Sequence, residues 1–103
     1  MATFDPNAGK EILLEEAKTM IKKYQTNNDG EVKAHYFSRA SVNLVLLQPD
    51  AVGIRIYQAT NESGERQLVL VGVDLNGKDL IEGKFADHAA GCPIACDPTS
   101  PFF

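Results

Sequence analysis

The hydrophobic period of this chain changes once, at Gln48-Pro49-Asp50, and that change limits what the chain can fold into. Before it, apolar residues recur at helical spacing. After it, Val52, Ile54 and Ile56 alternate with Gly53, Arg55 and Tyr57. A period near 3.6 marks an amphipathic helix and a period of 2 marks a strand. Helices followed by strands in separate blocks predict an α+β fold rather than alternating α/β. With 103 residues there is room for one domain, residues 1–103, and one modest core.

The first helical stripe is Ile12, Leu13, Ala17, Met20, Ile21 and Tyr24. Asp5-Pro6 offers a cap and a first helical position, and Thr26 to Gly30 is a turn cluster. Glu11, Glu15 and Glu16 come early and Lys18, Lys22 and Lys23 late, which suits the helix dipole. The stripe predicts a helix from about Asn7 to Gln25. Phe37, Ala40, Leu44 and Leu47 share a second helical face, predicting a helix from about Ala34 to Leu47, with Asp29 or Ser38 as candidate caps. Val32 to Tyr36 is ambiguous between helix and strand.

Gln67 to Val73 reads as a strong strand, joined to Val52–Tyr57 as a hairpin through Asn61-Glu62-Ser63-Gly64. Asn76-Gly77 is a second hairpin-type turn, and a short third strand is expected over about Leu80 to Phe85. From Ala86 the chain shows no period and reads as an irregular tail. With an even-numbered hairpin loop, Val52, Ile54, Ile56, Val69, Val71, Val73 and Leu75 form one apolar face, expected to receive both helices. Gly53, Arg55, Tyr57, Ala59, Leu68, Leu70, Gly72 and Asp74 form the other. A three-residue loop with a bulge changes that assignment.

Composition narrows the partners. The chain is 44% hydrophobic and 23% charged, with a formal net charge of −4 and a pI near 5.0. This disfavours nucleic acid and acidic membrane surfaces, both of which call for basic clusters. The first ten residues lack a signal-peptide pattern, no apolar run is long enough to span a bilayer, and two cysteines make no disulfide framework. The expectation is a cytoplasmic protein.

Two constellations stand out. Cys92-Pro93-Ile94-Ala95-Cys96, with His88 four residues before, offers soft ligands for zinc or copper, a local disulfide or redox pair, or inert thiols. Arg55 and Tyr57 share a strand face, with Asp74 roughly opposite. That is an anion-binding arginine held by a carboxylate, or a cross-strand ion pair. His35 reads as a surface histidine. The phosphate-loop, nucleophile-elbow and zinc-protease motifs are absent. Asn27 to Gly30 is not a calcium loop, because its alignment puts Gln25 and Tyr36 where acids are required.

The run Val52-Gly53-Ile54-Arg55-Ile56-Tyr57, then Leu70-Val71-Gly72-Val73-Asp74, then the terminal Cys-Pro-x-x-Cys, resembles a group of small uncharacterised bacterial proteins over about Ala34 to Cys96. The resemblance implies no activity. From the residues, the expectation is a non-enzymatic interaction module that self-associates through its sheet as a homodimer. The sheet is reasoned to expose Leu68, Leu70 and Tyr57, which a second copy covers better than the tail ending Pro101-Phe102-Phe103. A thiol or metal-handling protein using Cys92, Cys96 and His88, and an enzyme with a pocket of Arg55, Tyr57 and Asp74, are the alternatives.

Overall fold

The computed structural model describes residues 3–87, 90–92 and 97–102. The order is α1 (Leu14–Asn27), β1 (Ala34–Tyr36), α2 (Arg39–Leu46), β2 (Gly53–Thr60), β3 (Arg66–Val73), β4 (Phe85–Ala86) and β5 (Ala90–Cys92). This is an α+β architecture. One antiparallel sheet has the order β2-β3-β4, and β1 pairs antiparallel with β5 in a separate ribbon.

Both helices start later than their stripes suggest, for local reasons. Asp5 does not open α1. Its carboxylate accepts from the Asn7 amide at 2.9 Å, Ala8 N donates to Asp5 O at 3.1 Å, and Gly9 follows at φ 100°. That left-handed residue ends the turn, so α1 begins only where Glu16 reaches back to the Leu13 amide at 3.4 Å. Ser38 caps α2, its Oγ accepting from Ser41 N at 3.1 Å. The ambiguous segment before it is extended: Ala34, His35 and Tyr36 pair with Cys92, Gly91 and Ala90. The chain after Ala86, read as structureless, therefore supplies a strand.

The hairpin register differs from the even-loop expectation. Asn61 N donates to Glu65 O and Gly64 N to Asn61 O, both at 3.0 Å, and Gly64 sits at φ 82°. The Asn61 side-chain oxygen also accepts from the Ser63 and Glu65 amides. This is a three-residue loop closed by a left-handed glycine. Ile54 therefore pairs with Gly72, Ile56 with Leu70 and Gln58 with Leu68, while Arg55 pairs with Val71 and Tyr57 with Val69. Even-numbered residues of both strands share one face and odd-numbered residues the other. Leu70 is 4% exposed and packs with Val45 of α2 and Ala86 of β4, ringed by Phe37, Val42 and Ile54. The patch of Leu68, Leu70 and Tyr57 expected to be open does not exist, because Tyr57 lies on the opposite face and Leu70 is in the core. Val71 and Val73 are buried on that opposite face.

Of the two helices, α2 contributes the buried Val45, whereas α1 buries none of its residues. Ala17, Ile21 and Gln25 are half-buried, while Leu14, Met20 and Tyr24 are exposed. The Gln25 amide donates to Phe102 O at 2.9 Å, so Phe102 lies against α1.

Gln48, just past α2, ties helix to sheet. Its Nε2 donates to Val45 O and its Oε1 accepts from Lys84 N, each at 2.7 Å. A Cβ on Gly72 would lie 2.8 Å from Nε2, and one on Gly83 would lie 2.2 Å from Oε1. Both glycines make room for this amide.

The register separates two alanine substitutions. Leu70→Ala should cost about 2–5 kcal/mol in denaturant unfolding, the range for a buried leucine. Ile56→Ala, at a residue 57% exposed, should cost much less. Equal losses would contradict this register.

Candidate functional site

The expected cluster of Arg55, Tyr57 and Asp74 forms around a different acid. Asp74 is occupied by its own turn, its Oδ1 accepting from the Asn76 amide at 2.9 Å and the Lys78 amide at 3.0 Å. This is the ordinary use of aspartate at the start of a turn. Asp79 takes the role instead. It bridges to Val73 in antiparallel fashion, which places it on the face of the odd-numbered strand residues. Arg55 Nη1 donates to Asp79 Oδ1, and the Tyr57 hydroxyl donates to Asp79 Oδ2. Arg55 also donates to Gly77 O at 3.2 Å. Two neighbouring positions of β2 thus latch the hairpin 74–79 by its carboxylate and its backbone.

The latch shifts its own members away from reactivity. The Tyr57 hydrogen bond, and then Arg55, hold the Asp79 carboxyl below its ordinary range. The bond to Asp79, with burial second, pushes Tyr57 above the ordinary phenol value. A carboxyl shifted down is a weaker base and a phenol shifted up is a weaker acid, and the carboxylate charge is met by Arg55. Arg55 Nη1 is already engaged by a carboxylate oxygen, which competes with an incoming anion.

Beside the latch, β2 forms the outer edge of the sheet: among the described residues its neighbours are β3 alone. Asn61 N to Glu65 O is a rung of the β2–β3 ladder, so rungs fall on odd-numbered residues. Hydrogen-bonded and non-hydrogen-bonded pairs alternate in an antiparallel ladder. Ile54, Ile56, Gln58 and Thr60 therefore aim their amides and carbonyls outward, away from β3. On the far side of β3, Leu80 N to Gly72 O and Asp74 N to Lys78 O, each 2.9 Å, show the same alternation. A cleft of about 530 Å³ lies beside the first half of β2, walled by Phe4, Asp5, Pro6 and Ala8 and by Val52 to Ile56. Phe4 is seated at the Gly77 turn, where an added Cβ would meet its ring at 2.7 Å.

Cys92 belongs to β5 by its backbone, opposite Ala34. Its side chain, His88 and Cys96 lie outside the described residues, and so does the metal or redox reading built on them. Among the described residues no group of three or more His, Cys, Asp or Glu is placed to hold a metal ion. His35 Nε2 lies 3.2 Å from Arg66 O, with the ring exposed. No helix among the described residues is long and apolar enough to cross a membrane. No family model, curated protein or solved structure matches the chain.

The latch gives stability two pH limbs. Asp79, shifted down, stabilises the fold above the unfolded carboxyl value of about 4, and this is lost as pH falls through its lower folded value. Tyr57, shifted up, stabilises below the unfolded phenol value of about 10, and this is lost as pH rises through its higher folded value. Thermal melting against pH should show Asp79→Asn flattening the acid limb and Tyr57→Phe the alkaline limb. Limbs unchanged by both substitutions would contradict the latch.

Proposed function

We propose that this protein is a non-enzymatic interaction module that self-associates through its sheet. The observation that supports the reading is the outer edge of β2. It has eight residues, Gly53–Thr60, with outward amides and carbonyls and an exposed run from Ile56 to Gln58. Open edges in monomeric proteins are normally blunted by proline, by lysine, by bulges or by a covering segment. β2 contains neither proline nor lysine, and its one charge, Arg55, is drawn to Asp79. The exposed apolar residues of α1, Leu14 and Met20 among them, add surface that one copy leaves uncovered.

The latch supports the same reading by holding the edge strand in shape. Its groups are shifted away from acid–base work, and its effect is to hold the 74–79 hairpin against β2. A homodimer buries the edge with one self-complementary surface.

Sedimentation velocity of the full chain over the micromolar range tests this. A concentration-dependent monomer–dimer equilibrium is expected, and Ile56→Lys should move it to monomer with the melting temperature nearly kept. Leu70→Lys is not the variant to use, since that position is in the core and the substitution would unfold the chain. A monomer at every concentration would overturn the reading.

A further inference from the structure

We infer that two copies pair β2 to β2, antiparallel, about a two-fold axis through Ile56, so that the two three-stranded sheets become one. This rests on the self-association reading above and assigns its geometry. Parity limits the registers. Only Ile54, Ile56, Gln58 and Thr60 present outward amides and carbonyls. A symmetric antiparallel pair must therefore set even-numbered residues against even-numbered residues. Two registers keep most of the strand: one sets Ile56 against the partner's Ile56, the other sets Ile56 against the partner's Gln58.

Side chains decide between them. In the first register Ile56, 57% exposed in the single chain, meets its own copy, and Ile54 meets the partner's Gln58. On the other face Arg55 lies across from the partner's Tyr57, and the reverse. Opposed arginine and tyrosine on neighbouring strands gain a cation–π contact, and opposed isoleucines gain apolar burial. The second register places Ile56 against an amide side chain, Arg55 against the partner's Ala59, and two tyrosines on the axis. It leaves the most exposed apolar residue of the edge poorly matched.

Charge and space agree. Arg55 is the only charged residue on β2, and each copy brings its own Asp79 to it, so pairing brings no bare like charges together. The chain's own amino-terminal segment does not fill the edge. At its approach, Asp5 to Ala8 form a turn, Pro6 has no amide to give, and the cleft of about 530 Å³ separates them from Val52 to Ile56. The latch has a part here as well, because it fixes the Arg55 and Tyr57 side chains before a partner arrives, which lowers the ordering cost of binding.

Disulfide trapping tests the register, in a chain with Cys92 and Cys96 replaced by serine. Directly opposed residues of a hydrogen-bonded pair have Cα atoms about 5.5 Å apart, within disulfide reach. An offset of two residues puts them about 8 Å apart, beyond it. Ile56→Cys alone should give covalent dimer on mild oxidation, and an equal mixture of Ile56→Cys and Gln58→Cys should give no mixed dimer. A second readout needs no cysteine: intermolecular contacts at the Ile56 methyls, seen by nuclear magnetic resonance in a dimer of labelled and unlabelled native chains. Mixed dimer from Ile56→Cys and Gln58→Cys would overturn the register and leave self-association through β2 standing. A dimer by sedimentation with neither crosslink nor Ile56 contacts would overturn the use of this edge. A monomer at every concentration would overturn the inference and the reading it rests on together.

Discussion

The pairing of β2 with β3 is the constraint on which the rest depends, and five residues, Asn61 to Glu65, set it. A strand's side chains alternate faces, so a slip of one residue exchanges the core face for the outer one. Asn61 collects two backbone amides, Gly64 takes the left-handed corner, and Ile56 is thereby placed opposite Leu70. From that pairing it follows that Leu70 meets Val45 and Ala86. It follows equally that Arg55 and Tyr57 share the face of Asp79, and that the even-numbered backbone groups of β2 point outward.

The apolar core this register builds is small, with Val45, Leu70 and Ala86 at its centre. Polar ties extend it near the C-terminal end of β3, one on each face. On one face Gln48 joins the end of α2 to the loop before β4, in space left by Gly72 and Gly83. On the other, Asp79 joins the 74–79 hairpin to β2. Each satisfies groups that a loop over a thin core would otherwise leave to water. A domain of this size buries a limited share of its surface, and association is one way to add to it.

Much of this was legible in the sequence where the signal was a period. The stripe ending at Leu47, the alternation from Val52 and the run Gln67 to Val73 each became the element their spacing predicts. Boundaries and register were set by features that a period does not carry. A loop of odd length reversed the relation between the strands, and Gly9 moved the start of α1. Ala34 to Tyr36 became a strand because a partner, Ala90 to Cys92, lies more than fifty residues away. At the site, Arg55 and Tyr57 could be read from their alternation, but their acid could not be chosen by proximity. Asp74 begins an Asp-x-Asn-Gly turn, and that pattern was the available signal that its carboxylate would be spent on local amides, leaving Asp79. Gln48 stands where the hydrophobic period changes, and nothing in the local sequence marks its reach to Lys84.

In the proposed dimer, the outward backbone of β2 is the surface through which copies meet. Residue-resolved amide hydrogen exchange at increasing protein concentration tests it most directly. The amides of Ile54, Ile56 and Gln58 should exchange quickly when dilute and gain protection as concentration rises, while those of Arg55 and Tyr57, bonded to β3 throughout, should hardly change. Outward amides that exchange equally fast at every concentration, or protection that grows only on another element such as α1, would contradict it.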